Sequence, residues 1–178
     1  MSDTKSELKS IVLSTAQELE AAVAGNLYDD NGECRIIHDM DGWKAERYEE
    51  KKEVFCQNNS EDKLDTEAYD TYDEWMEDEI GTVDDVDEPE EMSLYDYIDK
   101  QSLGDIRFEV DSRLDLEGGK ILFAYGGPTV WVHDDRVCGY WGFDSEEIGL
   151  DGDTSSALLG FMEEQFQMAL DSRSARGK

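Results

Sequence analysis

Three cysteines and two histidines are the side chains of this sequence best suited to metal binding or nucleophilic chemistry. Cys34 and His38 have the spacing C-x3-H, His133 and Cys138 are five positions apart, and Cys56 lies between the two pairs. Together they could surround zinc in a zinc-dependent enzyme, although structural zinc sites usually contain a closer C-x2-C or H-x3-H pair. Free cysteines are also common core residues. We therefore expect no metal and no cofactor, and keep a zinc-dependent enzyme as one alternative.

Patterns for calcium and phosphate binding are incomplete. Residues 39–42 resemble part of an EF-hand loop, but the first and twelfth positions of that loop would be Ile37 and Tyr48, which offer no carboxylate. The GGP sequence at 126–128 lacks the Lys and Ser/Thr of a phosphate-binding loop. Neither segment predicts a specific site.

The spacing of Cys138 and His133 is compatible with a catalytic Cys-His pair. His133, however, adjoins Asp134 at a predicted turn, where an exposed side chain is the usual outcome. Acidic residues are so numerous that a pair of carboxylates does not indicate glycosidase or protease chemistry. We expect that the protein is not an enzyme.

Two amphipathic helices are predicted near the ends of the chain. Apolar side chains recur at three- and four-residue spacing from Leu8 to Val23, which indicates one buried stripe. A second stripe runs from Leu158 to Leu170 and predicts a C-terminal helix over residues 153–171.

Between them, residues 105–142 predict an antiparallel β-meander of three to four strands. Ile106, Phe108 and Val110 alternate with charged residues, as in a half-buried strand. A turn is predicted at Glu117-Gly118-Gly119, followed by a second strand over residues 120–126, and two more strands lie on either side of a turn at 134–135. The aromatic side chains near Trp131 are interpreted as cross-strand packing. Helices on both sides of a meander indicate an α+β fold.

Residues 26–60 are ambiguous. Asp30-Asn31-Gly32 is typical of a turn and residues 33–37 of a short strand. Residues 44–55 fit either a charged helix or an edge strand.

The uneven distribution of charge is the most informative feature of the chain. The 178 residues include 46 Asp or Glu and 16 Lys or Arg, a formal net charge of -30. Residues 61–99 alone hold 18 of the acidic residues and one base, Lys63. Residues 1–25 hold only four acidic residues, whereas general adaptation to salt would distribute them evenly. The localisation indicates a dedicated acidic surface.

Residues 61–99 also carry regularly spaced apolar side chains, so we expect an acidic helical segment docked on the body of a single domain, residues 1–178. The helical period runs from Leu64 to Ile80, Gly81 ends it, and Ser93 caps a second short helix. Tyr72 and Trp75 are expected to anchor the segment, with Trp75 a binding hot spot if it is exposed.

This charge excludes several classes of partner. Phosphate contacts need a basic face, so the chain should not bind nucleic acid directly, and an anionic membrane would repel it. The beginning of the chain, MSDTKSELKS, lacks a signal-peptide layout, and three cysteines do not suggest a disulfide framework. We expect a cytoplasmic protein, in the host cytoplasm if a phage encodes it, whose partner is basic. Its oligomeric state does not follow from the sequence.

The density of carboxylates matches that of a nucleic acid. If residues 61–99 were wholly helical, they would span about 58 Å and carry one carboxylate per roughly 3.2 Å, close to the ~3.4 Å charge spacing of one DNA strand. Such a surface would occupy the basic groove of a DNA- or RNA-binding protein and exclude its ligand. The residues predicted to contact the partner are Asp70, Asp73, Glu74, Glu77, Asp78, Asp84, Asp85, Asp87, Glu88, Glu90 and Glu91.

In size, acidity and this run of carboxylates the chain resembles the DNA-mimicking defence inhibitors of phages and mobile elements, the antirestriction and anti-CRISPR proteins. The segment GGPTVWV…GYWG, residues 126–142, is similar to one in small proteins of prophages and conjugative elements. The resemblance implies an inhibitor of a restriction or CRISPR effector. An immunity protein that neutralises a basic nuclease toxin would look much the same and is the other alternative.

Overall fold

The computed structural model describes residues 4–60, 63–64 and 68–176. Contacts divide the chain into two compact units. We call Met1–Ile36 with Glu91–Lys178 the sheet unit, and Ile37–Glu90 the helical unit. The prediction of a single domain is not tested by this division and stays a prediction.

The sheet unit contains most of the regular structure, and its α+β class confirms the prediction. Its helices are α1 (Thr4–Val23), α4 (Leu94–Gln101) and α5 (Gly152–Arg176). Its strands are β1 (Leu27–Asp30), β2 (Glu33–Ile36), β4 (Ile106–Val110), β5 (Leu116–Ala124), β6 (Thr129–His133), β7 (Arg136–Trp141) and β8 (Asp144–Gly149), and β3 (Glu90–Glu91) lies at the boundary of the two units.

A five-stranded antiparallel sheet runs in the order β4-β5-β6-β7-β8. It extends the predicted meander of residues 105–142 by one strand, because β8 pairs with β7 along its whole length. The predicted turn at Glu117-Gly118-Gly119 is wrong, because these residues lie inside β5, where Gly118 and Gly119 pair with β4. Only Ile148 of β8 is a large apolar residue, so alternation alone did not reveal this strand.

A second sheet has three strands in the order β2-β1-β3. Asn31 and Gly32 form the tight turn between β1 and β2, and both have positive φ, as a type I′ hairpin requires. Residues 33–36 of the ambiguous segment thus form strand β2, and the predicted turn at 30–32 is present.

The core of the sheet unit lies between the helices and one face of the five-stranded sheet. Leu8, Val12 and Leu19 of α1 are buried with Val130 and Val137 of the sheet. α5 buries Leu158 and Met162 in the same cluster. Both terminal helices are therefore present, and α5 is longer than the predicted range of 153–171.

The helical unit contains α2 (Met40–Asn58), α3 (Tyr72–Ile80) and a 3-10 turn (Val83–Asp85). The ambiguous residues 44–55 are helical, since they lie inside α2. Asp39 caps α2 by accepting a hydrogen bond from the Gly42 amide at 3.1 Å.

The two helices predicted in the acidic segment, residues 61–99, are present as α3 and α4, but the first is shorter than predicted. α3 begins at Tyr72 and not near Leu64, because Thr71 is extended and caps it. Gly81, with φ of 75°, ends α3 as predicted. α4 follows in the sheet unit with Leu94, Tyr97 and Ile98 buried, the orientation that its spacing predicts. The part of the prediction on residues 61–62 and 65–67 lies outside the described residues.

Candidate acidic binding surface

Local hydrogen bonds define both ends of α3, which carries the centre of the predicted contact surface. Thr71 Oγ1 accepts a hydrogen bond from the Glu74 amide at 3.1 Å, and the Gly81 amide donates to the Glu77 carbonyl at 2.9 Å. These caps satisfy backbone groups that a helix end otherwise leaves unpaired. α3 is thus a defined helix despite its short length.

Aromatic packing holds α3 on α2 within the helical unit. The rings of Phe55, Tyr72 and Trp75 have centroids 5.2–5.8 Å apart. The Tyr72 hydroxyl also donates to the Asn59 carbonyl at 2.7 Å, and Met76 is buried. Tyr72 and Trp75 therefore hold α3 on α2 of the same unit, and their predicted role as anchors of the segment to the body of the protein stays a prediction. Trp75 is half-buried in this cluster.

The side chains of α3 separate into an apolar and an acidic side. Tyr72, Trp75 and Met76 face α2, while the residues at the intervening positions are exposed. Asp73, Glu74, Glu77 and Asp78 lie at positions i, i+1, i+4 and i+5 and so form one outward stripe. The helical period thus places carboxylates side by side.

All eleven carboxylates predicted to contact a partner are exposed. Ten of them lie in the helical unit, and we call these ten the acidic surface; Glu91 lies in the sheet unit. Glu79 of α3 is exposed as well. It was missed because the period places it beside Met76 and Ile80, so only the packing shows that it reaches solvent.

Four members of the acidic surface also stabilise the local structure. Glu74 accepts from the Asp70 amide at 3.0 Å, and Asp78 from the Tyr69 hydroxyl at 2.6 Å. Asp85 accepts from the Thr82 amide and hydroxyl, each at 2.8 Å, and these bonds hold the pKa of Asp85 below its ordinary value.

The fourth is Glu88, whose carboxylate lies 2.7 Å from Lys44 Nζ. The hydrogen bond to Glu88, with the nearby charges of Asp84 and Asp41, raises the pKa of Lys44. Lys44 is thus held charged against the acidic surface and compensates part of its repulsion.

The other seven carboxylates make no side-chain hydrogen bond or ion pair within the described part of the chain, although the charge of Asp84 acts on Lys44. They are Asp70, Asp73, Glu77, Asp84, Asp87, Glu90 and Glu91. No Lys or Arg occurs between residues 70 and 91, whereas α2 carries four such residues. The largely uncompensated charge therefore belongs to residues 70–91.

Two cysteines of the zinc-enzyme alternative, Cys34 and Cys138, take part in other contacts. Among the residues that the structure describes, no group of three or more His, Cys, Asp or Glu side chains could hold a metal ion. Cys34 Sγ lies 3.4 Å from Gln101 Nε2 and Cys138 Sγ lies 3.6 Å from Glu147 Oε2. Burial raises the pKa of the Cys138 thiol. A smaller fraction of it is therefore present as the thiolate that nucleophilic attack requires.

Comparisons with protein-family models, curated proteins and solved structures find no match to this chain. No helix in the described ranges is both long and apolar enough to cross a membrane.

Proposed function

We propose that the protein is an acidic nucleic-acid mimic that inhibits a DNA- or RNA-binding protein, such as a restriction or CRISPR effector, by occupying its basic groove. The observation that carries this proposal is seven exposed carboxylates that make no side-chain hydrogen bond or ion pair among the residues that the structure describes. The Lys and Arg side chains of a phosphate-binding groove would supply the positive charges that pair with these carboxylates.

The charge spacing on α3 supports mimicry. Its nine residues span roughly 13 Å at ~1.5 Å per residue. The five carboxylates in that length give one charge per roughly 2.7 Å. This value lies between the ~1.7 Å of duplex DNA and the ~3.4 Å of a single strand.

The carboxylates in the last turn of α3 do not stabilise the helix through its dipole. Glu77, Asp78 and Glu79 lie where the dipole favours cations, and that turn has no basic residue. Their mutual repulsion adds to this cost, although Asp78 also accepts a hydrogen bond from Tyr69. The placement of Glu77 and Glu79 is therefore better explained by binding than by folding.

The mechanism is electrostatic exclusion. Long-range attraction speeds the encounter between the acidic surface and a cationic groove, and carboxylates then take the positions of phosphates. A bound inhibitor and a bound nucleic acid cannot coexist in the same groove. We place this action in the cytoplasm, where such targets meet DNA and RNA.

The experiment compares three immobilised proteins in lysates of the native host. The first is the wild type, and the second is Asp73→Asn/Glu77→Gln/Asp84→Asn/Asp87→Asn, which changes only carboxylates without internal bonds. The third is a control of equal charge, Glu109→Gln/Asp115→Asn/Glu117→Gln/Glu163→Gln, which changes exposed carboxylates of the sheet unit. Proteins retained by each are identified and then challenged with duplex DNA and RNA.

We expect a nucleic-acid-binding protein to be retained by the wild type and the control, to be lost with the acidic-surface variant, and to be eluted by nucleic acid. Retention by both variants would overturn the assignment of the site. A single cognate nuclease that excess nucleic acid does not displace would overturn mimicry in favour of an immunity protein.

A further inference from the structure

One end of the five-stranded sheet exposes three aromatic side chains. In an antiparallel meander, the β5–β6 and β7–β8 connections lie at the same end, and Thr129 of β6 pairs there with Tyr140 of β7. Phe143 is fully exposed, Tyr125 is 78% exposed and Tyr140 is 49% exposed. We call these three residues the aromatic tip; all lie in the sheet unit.

The aromatic tip is an uncharged region of a highly charged chain. Residues 121–133 and 137–143 contain no Asp, Glu, Lys or Arg, although 35% of the whole chain is charged. Gly126, Gly127 and Gly142 also lie here, and a Cβ added at any of them would meet no atom of the described residues within 4 Å. An exposed apolar group of this kind on a soluble protein usually marks an interaction site.

The fold does not require aromatic residues at these positions. Gly142 and Phe143 form a two-residue hairpin loop in which only Gly142 has positive φ, at 64°, as in a type II′ turn. The second position of such a turn makes no demand for an apolar side chain, and Phe143 contacts no core residue. Asn or Ser would serve the turn equally well.

One aromatic ring of the same sheet, that of Trp131, already contacts two cationic side chains. Arg107 Cζ lies 4.6 Å and Lys120 Nζ 5.2 Å from the ring centroid of Trp131. Within the described ranges, no Arg, Lys or second aromatic ring stacks on Tyr125, Tyr140 or Phe143. The rings of the aromatic tip therefore remain available for a cation supplied by a partner.

We propose that the aromatic tip binds arginine side chains on the surface of the protein partner. This inference rests on the proposed function, because it assigns a second contact to the same basic partner. The net charge of -30 makes a cationic partner the complementary one. A guanidinium group stacks on aromatic faces and is less strongly hydrated than an ammonium group, so arginine fits better than lysine.

Other occupants of the aromatic tip are disfavoured by the same charge. An anionic membrane surface repels the molecule. A second copy brings the same negative charge, so self-association at the tip has to overcome mutual repulsion.

The test measures affinity for two probes, an oligoarginine peptide and an oligolysine peptide of equal length. The variant Tyr125→Ser/Phe143→Ser removes two rings of the tip. The control Leu114→Asn removes an exposed apolar side chain at the opposite end of the sheet, at the β4–β5 turn. The acidic-surface variant Asp73→Asn/Glu77→Gln/Asp84→Asn/Asp87→Asn completes the set.

We expect the wild type and the control to prefer oligoarginine by roughly five-fold, and the tip variant to lose most of this preference while keeping its affinity for oligolysine. The acidic-surface variant should bind both peptides more weakly and keep the preference for oligoarginine. A preference that survives in the tip variant would overturn this inference and leave the proposed function standing. Undiminished binding by the acidic-surface variant would instead count against the proposed function. Concentration-dependent dimerisation that the tip variant abolishes would also overturn the inference, in favour of a second copy.

Discussion

Lys44 Nζ lies 2.7 Å from Glu88 Oε1, so a lysine of α2 neutralises a carboxylate of the acidic surface. The side chain of Glu88 is 62% exposed, whereas that of Lys44 is mostly covered. An exposed pair of this kind contributes little to stability. Its main effect is to reduce the negative potential of the surface.

The first prediction follows from this pair. Lys44→Met should tighten binding to a basic nucleic-acid-binding partner about two- to five-fold, because it removes the opposing charge beside Glu88. Calorimetric titration at constant ionic strength measures the change. Lys100→Met is the matched control, since Lys100 pairs with Asp29 in the sheet unit at 2.8 Å. An equal gain in both variants would mean that net charge alone decides affinity.

The second prediction concerns charge reversal on the acidic surface. Changing Asp73, Glu77, Asp84 and Asp87 to Lys should abolish partner binding and leave the melting temperature unchanged or raised. Within the described residues these four carboxylates make no side-chain hydrogen bond or ion pair, and a cation at position 77 suits the end of α3. Thermal unfolding and binding measurements on the same variant check both parts. A folded variant with unchanged affinity would move the site elsewhere in the molecule.

Binding by the wild type should also weaken steeply between low and high salt, because charges at this surface are solvent-exposed and screened. The four-residue reversal removes the charges responsible. Affinity independent of salt would contradict an electrostatic mechanism.

The third prediction tests the aromatic anchor of α3. Phe55 is buried against Tyr72 and Trp75, so Phe55→Ala should destabilise the helical unit by about 3 kcal/mol. Hydrogen exchange should show lower protection of the α3 amides, while α1 and β5–β7 keep theirs. Val54→Ala is the control, because Val54 precedes Phe55 and is exposed. Equal loss of protection throughout the chain would show that the two units unfold together.

The fourth prediction concerns pH. Asp96 accepts hydrogen bonds from the Ser93 hydroxyl and amide at the start of α4, and these bonds hold the pKa of Asp96 below its ordinary value. Because the pKa is lower in the folded state, ionised Asp96 stabilises the fold at neutral pH. This stabilisation is lost as the pH falls below about 4. Asp96→Ala should therefore be less stable than the wild type in urea at pH 7, and the difference should shrink at pH 3. A difference of the same size at both values would show that ionisation does not matter.

The fifth prediction uses two glycines of the sheet unit. A Cβ at Gly139 would lie 2.8 Å from Leu8 Cδ1 and closer still to Val12, so Gly139→Ala should destabilise the fold by about 2 kcal/mol. In α5, a Cβ at Gly160 would meet nothing, and Gly160→Ala should stabilise by about 0.5–1 kcal/mol. Chemical denaturation measures both. Destabilisation by both variants would mean that α5 is not a regular helix at residue 160.

Helices and strands with strong local periodicity could be predicted without coordinates. The stripe from Leu8 to Val23 and the alternation from Ile106 to Val110 depend only on which side chains avoid water. β8 was not predicted, because Ile148 is its single large apolar residue. It forms a strand because β7 supplies its hydrogen bonds.

The identity of the acidic residues was likewise readable from the chain, since every charged position of residues 61–99 is visible there. Their roles were not. Asp78 and Glu88 each bind a partner that only the folded chain brings close, namely Tyr69 and Lys44, whereas Asp85 binds Thr82 three residues before it in a local capping box.

Composition and local spacing were sufficient to establish an acidic α+β protein, because charge and periodicity are properties of the chain itself. Only the tertiary structure decided that α3 packs on α2 while α4 belongs to the sheet unit, and that three aromatic residues emerge together at one end of the sheet. Contacts between segments far apart in the chain select one arrangement among many with similar local preferences. Periodicity indicates which face of an element is buried, but it does not name the element that buries it.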